Sequence, residues 1–199
     1  MTVRVIAGLG NPGERYDGTR HNAGFAVVDA LAQSEGAVWR ASSRFSAHTA
    51  DVVIVGKPVT LVKPQAFMNR SGQVLGELFR FHKWRPEGLL VAVDEFQIPV
   101  GAAKLSIGGS AGGHNGLADI ISRIGAGFVR YRIGVGPDTK PLMDIADFVL
   151  RPFAPDENER FRSALPAFVE GLRLVVRSGP LLAMNHLNRK PNNNERNAD

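Results

Sequence analysis

Residues 3–13, VRVIAGLGNPG, contain the strand and loop on which the fold class depends. The apolar run of residues 3–7 ends at Gly8, which predicts a short buried strand. The six residues from Gly8 match the G-x-G-x-x-G pattern of dinucleotide sites, but that pattern needs a helix that opens within it and meets the pyrophosphate. Pro12 interrupts such a helix, and helical spacing starts only near Asn22. We therefore predict a strand and a functional loop without a nicotinamide or flavin site.

Strand-like and helix-like segments alternate along the rest of the chain. Predicted strands cover residues 52–55, 59–62, 89–93, 104–107 and 131–135, and the first two form a hairpin about Gly56-Lys57-Pro58. Predicted helices cover residues 22–32, 71–83, 144–149, 161–177 and 179–187, with one more ending near Ile124; Pro166 predicts a kink or a late start. We predict one α/β domain over residues 1–188, with a twisted, mixed, mostly parallel sheet and helices on both faces. Residues 189–199 are predicted to form a polar, disordered tail.

Composition limits the classes of function. The 199 residues include 24 Lys and Arg against 19 Asp and Glu, a net charge of +5, which favours a polyanionic partner. Cysteine is absent, which excludes disulfides and thiolate chemistry and fits a reducing compartment. The N-terminus becomes polar too soon for a signal peptide, and no apolar run reaches membrane-spanning length. We expect a cytoplasmic protein that does not bind a membrane.

Two other patterns suggest chemistry that their context does not support. Gly108-Gly109-Ser110-Ala111-Gly112 matches the G-x-S-x-G of serine esterases, but the usual chain order would make His186 the base, and His186 lies just before the polar tail. The five histidines show no metal-ligand spacing, so we predict no metal site.

Three loop stretches carry polar side chains that packing does not explain. They are GNPG with TRHNAG (residues 10–24), KPQAFMNRSG (63–72), and Asp94-Glu95 with GGHNG (112–116). Asn11, Asn69 and Asp94 each follow an apolar strand segment, so at the carboxyl edge of a sheet they can border one crevice.

In combination these motifs resemble those of bacterial peptidyl-tRNA hydrolases. The resemblance runs from Val5 to about Asn188 and rests on GLGNPG, TRHNAG, KPQ-x-FMN-x-SG, DE before a proline, and GGSAGGHNGL in that order. It implies hydrolysis, without a cofactor, of the ester between tRNA and peptide, by a monomer.

The resemblance also implies roles for individual residues. His21 would be the general base that activates water, and imidazole suits this because its ordinary pKa lies near physiological pH. Asp94 would orient the ring. Asn69 and Asn115 would bind substrate near the ester and steady the oxyanion, and Asn11 would read the acylated nitrogen. The other expected site residues are aromatic, namely Tyr16 and Phe67, where a base or side chain could stack. His114 is expected to be structural.

The acceptor arm of tRNA requires cations near the crevice. Lys104, Arg130 and Arg132 are the candidates for phosphate contacts. The segment from Gly136 to Pro141 would be a mobile flap. Family members often carry other residue types at the positions of Gln97, Ser106 and Pro137. These differences affect the contacts that are expected with the acceptor stem of tRNA. Two alternatives stay open from the sequence: a serine esterase based on Ser110, and an RNA-binding module without catalysis.

Overall fold

The computed structural model describes residues 1–42, 44–137 and 143–189. The strands are β1 (Val5–Gly8), β2 (Arg40–Ala41), β3 (Ala47–Ile54), β4 (Lys57–Pro64), β5 (Leu89–Pro99), β6 (Ala103–Ile107) and β7 (Val129–Gly136). The α-helices are α1 (Ala23–Ser34), α2 (Ser71–His82), α3 (Asn115–Ile124), α4 (Ile145–Val149), α5 (Pro155–Ser178) and α6 (Pro180–Leu187). Residues 43, 138–142 and 190–199 lie outside the described part of the chain; they include residues 138–141 of the predicted flap and all of the predicted tail except Arg189.

Within the described residues the strands form one seven-stranded sheet in the order β2-β3-β4-β1-β5-β7-β6. The neighbours β4, β1, β5 and β7 are parallel, whereas β2-β3, β3-β4 and β6-β7 are antiparallel. Five of these strands therefore run in one direction, which confirms the mixed, mostly parallel sheet. The carboxyl ends of the four central strands meet at one edge, where ligands bind in open α/β sheets.

Both faces of the sheet are covered, as predicted. Alternate side chains of β1 point to opposite faces, so Ile6 packs with α1 and α5 while Val5 and Ala7 pack with α2 and α3. The sheet is thus buried on both sides, which explains why its central strands have nearly continuous apolar sequences. None of the helices in the described ranges combines the length and hydropathy that a membrane crossing requires.

Several boundaries differ from the prediction, among them the start of β3, which lies at Ala47 instead of residue 52. The hairpin turns at Val55-Gly56, both with positive φ (50° and 73°), and Lys57 already belongs to β4. A two-residue turn of this kind matches the twist of its strands. Strand β5 continues past Val93 to Pro99, so Asp94 lies inside a strand. Helix α5 begins at Pro155 instead of near Phe161, because its first turn is polar and apolar spacing does not reveal it.

Two glycines set how closely the helices approach their neighbours. A Cβ on Gly24 would overlap the carbonyl oxygen of Ala92, so the start of α1 lies directly on β5. A Cβ on Gly72 would overlap the backbone of Asp119, so α2 lies directly on α3. These contacts bring the starts of α1, α2 and α3 to the carboxyl edge of the sheet.

Arg20 is buried and ties the loop before α1 to the start of α5. Its guanidinium forms an ion pair with Glu157, donates to the carbonyl oxygen of Pro152 at 2.6 Å, and lies 4.1 Å from the ring centre of Phe148. The Glu157 carboxylate also accepts the backbone N–H of Ala154 at 2.8 Å, at the first turn of α5. Arg20, the residue before His21, is thereby held in place by a segment that lies more than 130 positions further along the sequence.

We predict that Arg20→Met lowers the free energy of unfolding by about 3–5 kcal/mol, because it leaves the Glu157 carboxylate buried without a counter-charge. The matched control is Arg123→Met, which removes an exposed pair with Asp119 and is expected to cost about 0–1 kcal/mol. Urea unfolding followed by circular dichroism measures both. Equal losses in the two variants would contradict a structural role for the buried pair.

Candidate active site

The carboxyl edge of the sheet opens into a crevice of about 810 Å³. Its walls come from the loop after β1, the turn before α2, strand β5 and the glycine-rich loop before α3. All seven predicted catalytic and substrate-binding residues border it, namely Asn11, Tyr16, His21, Phe67, Asn69, Asp94 and Asn115, and so do Arg130 and Arg132, two of the three candidates for phosphate contacts. The structure therefore brings together side chains from four separate segments.

His21 and Asp94 are in direct contact at the base of the crevice. His21 lies in a 3-10 turn, Arg20–Asn22, that leads into α1, and its Nδ1 is 3.0 Å from both carboxylate oxygens of Asp94. Asp94 reaches this place because it lies two residues beyond Ala92, the partner of the last residue of β1. A carboxylate can only accept, so Nδ1 carries the proton and the lone pair is on Nε2.

A second histidine contacts the same carboxylate, which sequence reasoning missed. His114 Nε2 is 3.0 Å from Asp94 Oδ1, and His114 Nδ1 accepts the backbone N–H of Leu117 at 3.2 Å. The two imidazole rings are 5.0 Å apart between centres. The only signal in the sequence was the position of His114 beside Asn115 in a glycine-rich loop.

The two rings keep Asp94 ionised. Burial, the largest influence, would raise the pKa of the carboxyl, but the ring N–H groups of His114 and then of His21 lower it through their positive end and their hydrogen bonds. The net result is a pKa of Asp94 well below the usual range. A negative charge therefore faces His21 at neutral pH.

The same three residues have donor atoms within 4.8 Å of one another, a spacing that a metal ion could use. Their hydrogen bonds argue for a different use. Because Leu117 N–H occupies Nδ1 of His114, the neutral ring carries its proton on Nε2, the atom that faces Asp94. A metal ligand needs a lone pair at that position. The cluster fits a carboxylate that accepts two N–H donors.

Asn11 is buried and held at three atoms. Its Oδ1 accepts the backbone N–H of Met68 at 2.8 Å, and its backbone N–H and carbonyl bind the side chain of Asn22 at 2.8 and 3.0 Å. The amide is thus oriented with its Nδ2 donor left over. Asn22 was not predicted as a site residue. Its side chain links the loop of Asn11 to the turn that contains His21.

Asn69 and Asn115 are both exposed and both border the crevice. Asn69 lies in the 3-10 turn Met68–Arg70 before α2, and Asn115 is the first residue of α3. Neither side chain has a hydrogen-bond partner in the described part of the protein.

Tyr16 and Phe67 meet edge to face with ring centres 6.2 Å apart, and Phe67 is 50% exposed.

The three predicted phosphate contacts differ in their surroundings. Lys104 and Arg132 are cross-strand partners on β6 and β7, so they share one face, and Arg132 lies 3.6 Å from Glu95. Lys104 is exposed. Arg130 instead is buried, and its terminal nitrogens donate to the carbonyls of Gly109 and Ser110. The expected phosphate contact does not fit Arg130, because these nitrogens are engaged in holding the glycine-rich loop.

The serine esterase alternative finds no support in the geometry. Ser110 borders the crevice, but its proposed base His186 is exposed on α6 and is not among the residues that line the crevice. Gln97 and Ser106 both line the crevice as well.

Comparison with known proteins gives a consistent result. The chain matches the family model described as Peptidyl-tRNA hydrolase over residues 5–195. It is 42% identical over 193 residues to a peptidyl-tRNA hydrolase of Cupriavidus necator, covering 93% of this chain and 98% of the relative. It is 39% identical over 189 residues to one of Haemophilus influenzae, covering 94% and 96%. The crystal structure of the peptidyl-tRNA hydrolase from Acinetobacter baumannii matches with a TM-score of 0.86 at 37% identity, covering 94% of each chain.

Because the family model and these relatives cover nearly the whole chain, the non-catalytic RNA-binding alternative falls as well. The chain belongs to the peptidyl-tRNA hydrolase family and is an enzyme that hydrolyses peptidyl-tRNA.

Proposed function

We propose that His21 is the general base of this hydrolysis and that Asp94 orients it. The observation that carries the proposal is the contact of His21 Nδ1 with both oxygens of Asp94 at 3.0 Å. It fixes the lone pair on Nε2, where it can accept a proton from water in the crevice. The ionised carboxylate also favours the imidazolium that forms during the reaction.

The reaction then needs only water and this chain. Nε2 of His21 takes a proton while the water oxygen bonds to the ester carbonyl carbon, which gives a tetrahedral intermediate. When the ester C–O bond breaks, His21 returns the proton to the ribose oxygen of tRNA, and the peptide leaves as a carboxylic acid. Asp94 stays ionised throughout. The NH₂ groups of Asn69 and Asn115 are unpaired donors for the oxyanion, and one such donor is typically worth about 3 kcal/mol of barrier.

Asn11 separates peptidyl-tRNA from free aminoacyl-tRNA in this proposal. Its Oδ1 accepts from Met68, so its Nδ2 is the donor left for the substrate. An acylated amino acid offers a carbonyl oxygen to this donor beside its nitrogen. A free amino group is an ammonium at neutral pH, has no acceptor, and leaves Nδ2 unpaired. The sequence had suggested that Asn11 reads the acylated nitrogen, and in this proposal it does so through the neighbouring acyl carbonyl, to which the Nδ2 donor can bind.

The remaining contacts would hold the tRNA end. Tyr16 and Phe67 offer exposed ring surface on which an unpaired base can stack. Lys104 and Arg132 offer neighbouring cations for backbone phosphates. We propose that the enzyme acts as a monomer, as the family resemblance implies. A substrate made by translation and a chain without cysteine support a cytoplasmic location.

We predict that His21→Ala lowers kcat/KM for N-acetylated aminoacyl-tRNA by at least about 10²-fold, since positioned general bases contribute on the order of 10²–10⁴. His186→Ala, at an exposed position of α6 away from the crevice, is the matched control and should keep wild-type activity. Release of labelled amino acid is measured for both, with circular dichroism to confirm folding. A folded His21→Ala variant with near wild-type turnover would contradict the proposed mechanism.

We predict that Asn11→Asp lowers the ratio of kcat/KM for N-acetylated over free aminoacyl-tRNA by at least about tenfold, or 1.4 kcal/mol. The variant keeps an oxygen for Met68 N–H but replaces the Nδ2 donor with an acceptor that suits an ammonium. Asn185→Asp makes the same charge change on the exposed side of α6 and serves as control. An unchanged ratio in folded Asn11→Asp would show that Asn11 does not discriminate.

A further inference from the structure

We infer that His114 is a positioning residue for catalysis, which acts on His21 through Asp94. The inference rests on the proposed role of His21 and adds to it. Asp94 is buried and accepts from two ring N–H groups: His21 Nδ1 reaches both oxygens, and His114 Nε2 reaches Oδ1. The second donor fixes the carboxylate plane, and the carboxylate fixes the plane of His21.

The backbone N–H of Leu117 sets the protonation of His114. It donates to Nδ1 at 3.2 Å, so the neutral ring has its proton on Nε2 and donates it to Asp94. A proton on Nδ1 would break the contact with Leu117. His114 therefore serves as a neutral donor, and the negative charge of Asp94 stays available for the imidazolium of His21.

The other charged groups that border the crevice are engaged elsewhere. Glu95 lies 3.6 Å from Arg132, and Arg130 is held by the carbonyls of Gly109 and Ser110. Among the described residues, the ionisable groups that contact the Asp94 carboxylate are the two histidines. The balance between these rings and Asp94 thus determines how strongly His21 holds a proton.

A competing explanation is that His114 only caps α3, because its contact with Leu117 N–H satisfies a free donor at the start of that helix. Two substitutions separate the roles. In His114→Asn the amide oxygen takes the place of Nδ1, and Asn is a good cap, but the side chain is too short to reach Asp94. In His114→Gln the amide nitrogen takes the place of Nε2 and keeps a donor for Asp94, while the cap is lost.

The experiment measures kcat, KM and the pH dependence of kcat/KM on N-acetylated aminoacyl-tRNA, together with Tm. We expect His114→Asn to stay folded with its α3 cap in place, to lose about tenfold or more in kcat with little change in KM, and to move the acid limb of the kcat/KM profile to higher pH. The limb moves because a carboxylate with one donor fewer holds the proton on His21 more tightly. We expect His114→Gln to lower Tm by roughly 2–4 °C and to keep kcat within a few-fold.

A wild-type kcat or an unmoved acid limb in His114→Asn overturns the inference, and so does a His114→Gln variant as impaired as His114→Asn. If His21→Ala is inactive while His114→Asn is normal, only the role of His114 fails. If His21→Ala is active, the proposed mechanism fails first, so the two failures are distinguishable.

Discussion

The buried carboxylate of Asp94 is the interaction on which the site depends. Burying an ionised group is costly unless it is hydrogen-bonded, and Asp94 meets this condition by accepting from His21 and His114. The fold supplies the geometry, because β5 extends past the end of β1 and presents Asp94 between the start of α1 and the start of α3. One charge thus joins three elements of the domain and leaves one imidazole with a free lone pair.

The loops around this carboxylate are held by side chains that do no chemistry in our account. Arg20 ties the His21 loop to α5, Asn22 ties it to Asn11, and Arg130 holds the glycine-rich loop through its carbonyls. Loops carry function only when something rigid positions them. The loops of His21 and Asn11 and the glycine-rich loop before Asn115 are held in this way, and such preorganisation favours catalysis.

Much of this could be predicted from the sequence, for physical reasons. Short apolar runs ended by glycine or proline identify the central strands, and strand ends identify the crevice, so Asn11, Asn69 and Asp94 were expected together. The sequence does not reveal partners at long separation. Nothing in the residues near Arg20 predicts its ion pair with Glu157. In the sequence Arg130 and Arg132 look like equivalent candidates for phosphate contacts, and only the burial of Arg130 in the structure distinguishes them. The second donor to Asp94 was missed for the same reason, since local pattern does not encode tertiary contacts, whereas the first turn of α5 was missed because it is polar and shows no apolar spacing.

The central claim is that one ionised carboxylate holds two neutral histidines in opposite tautomers. The most direct measurement is ¹⁵N NMR of the ring nitrogens at neutral pH, assigned with the His21→Ala and His114→Gln variants. The account predicts a proton on Nδ1 and a bare Nε2 for His21, and the reverse for His114. Identical tautomers, or a His114 ring that carries both protons at neutral pH, would contradict it.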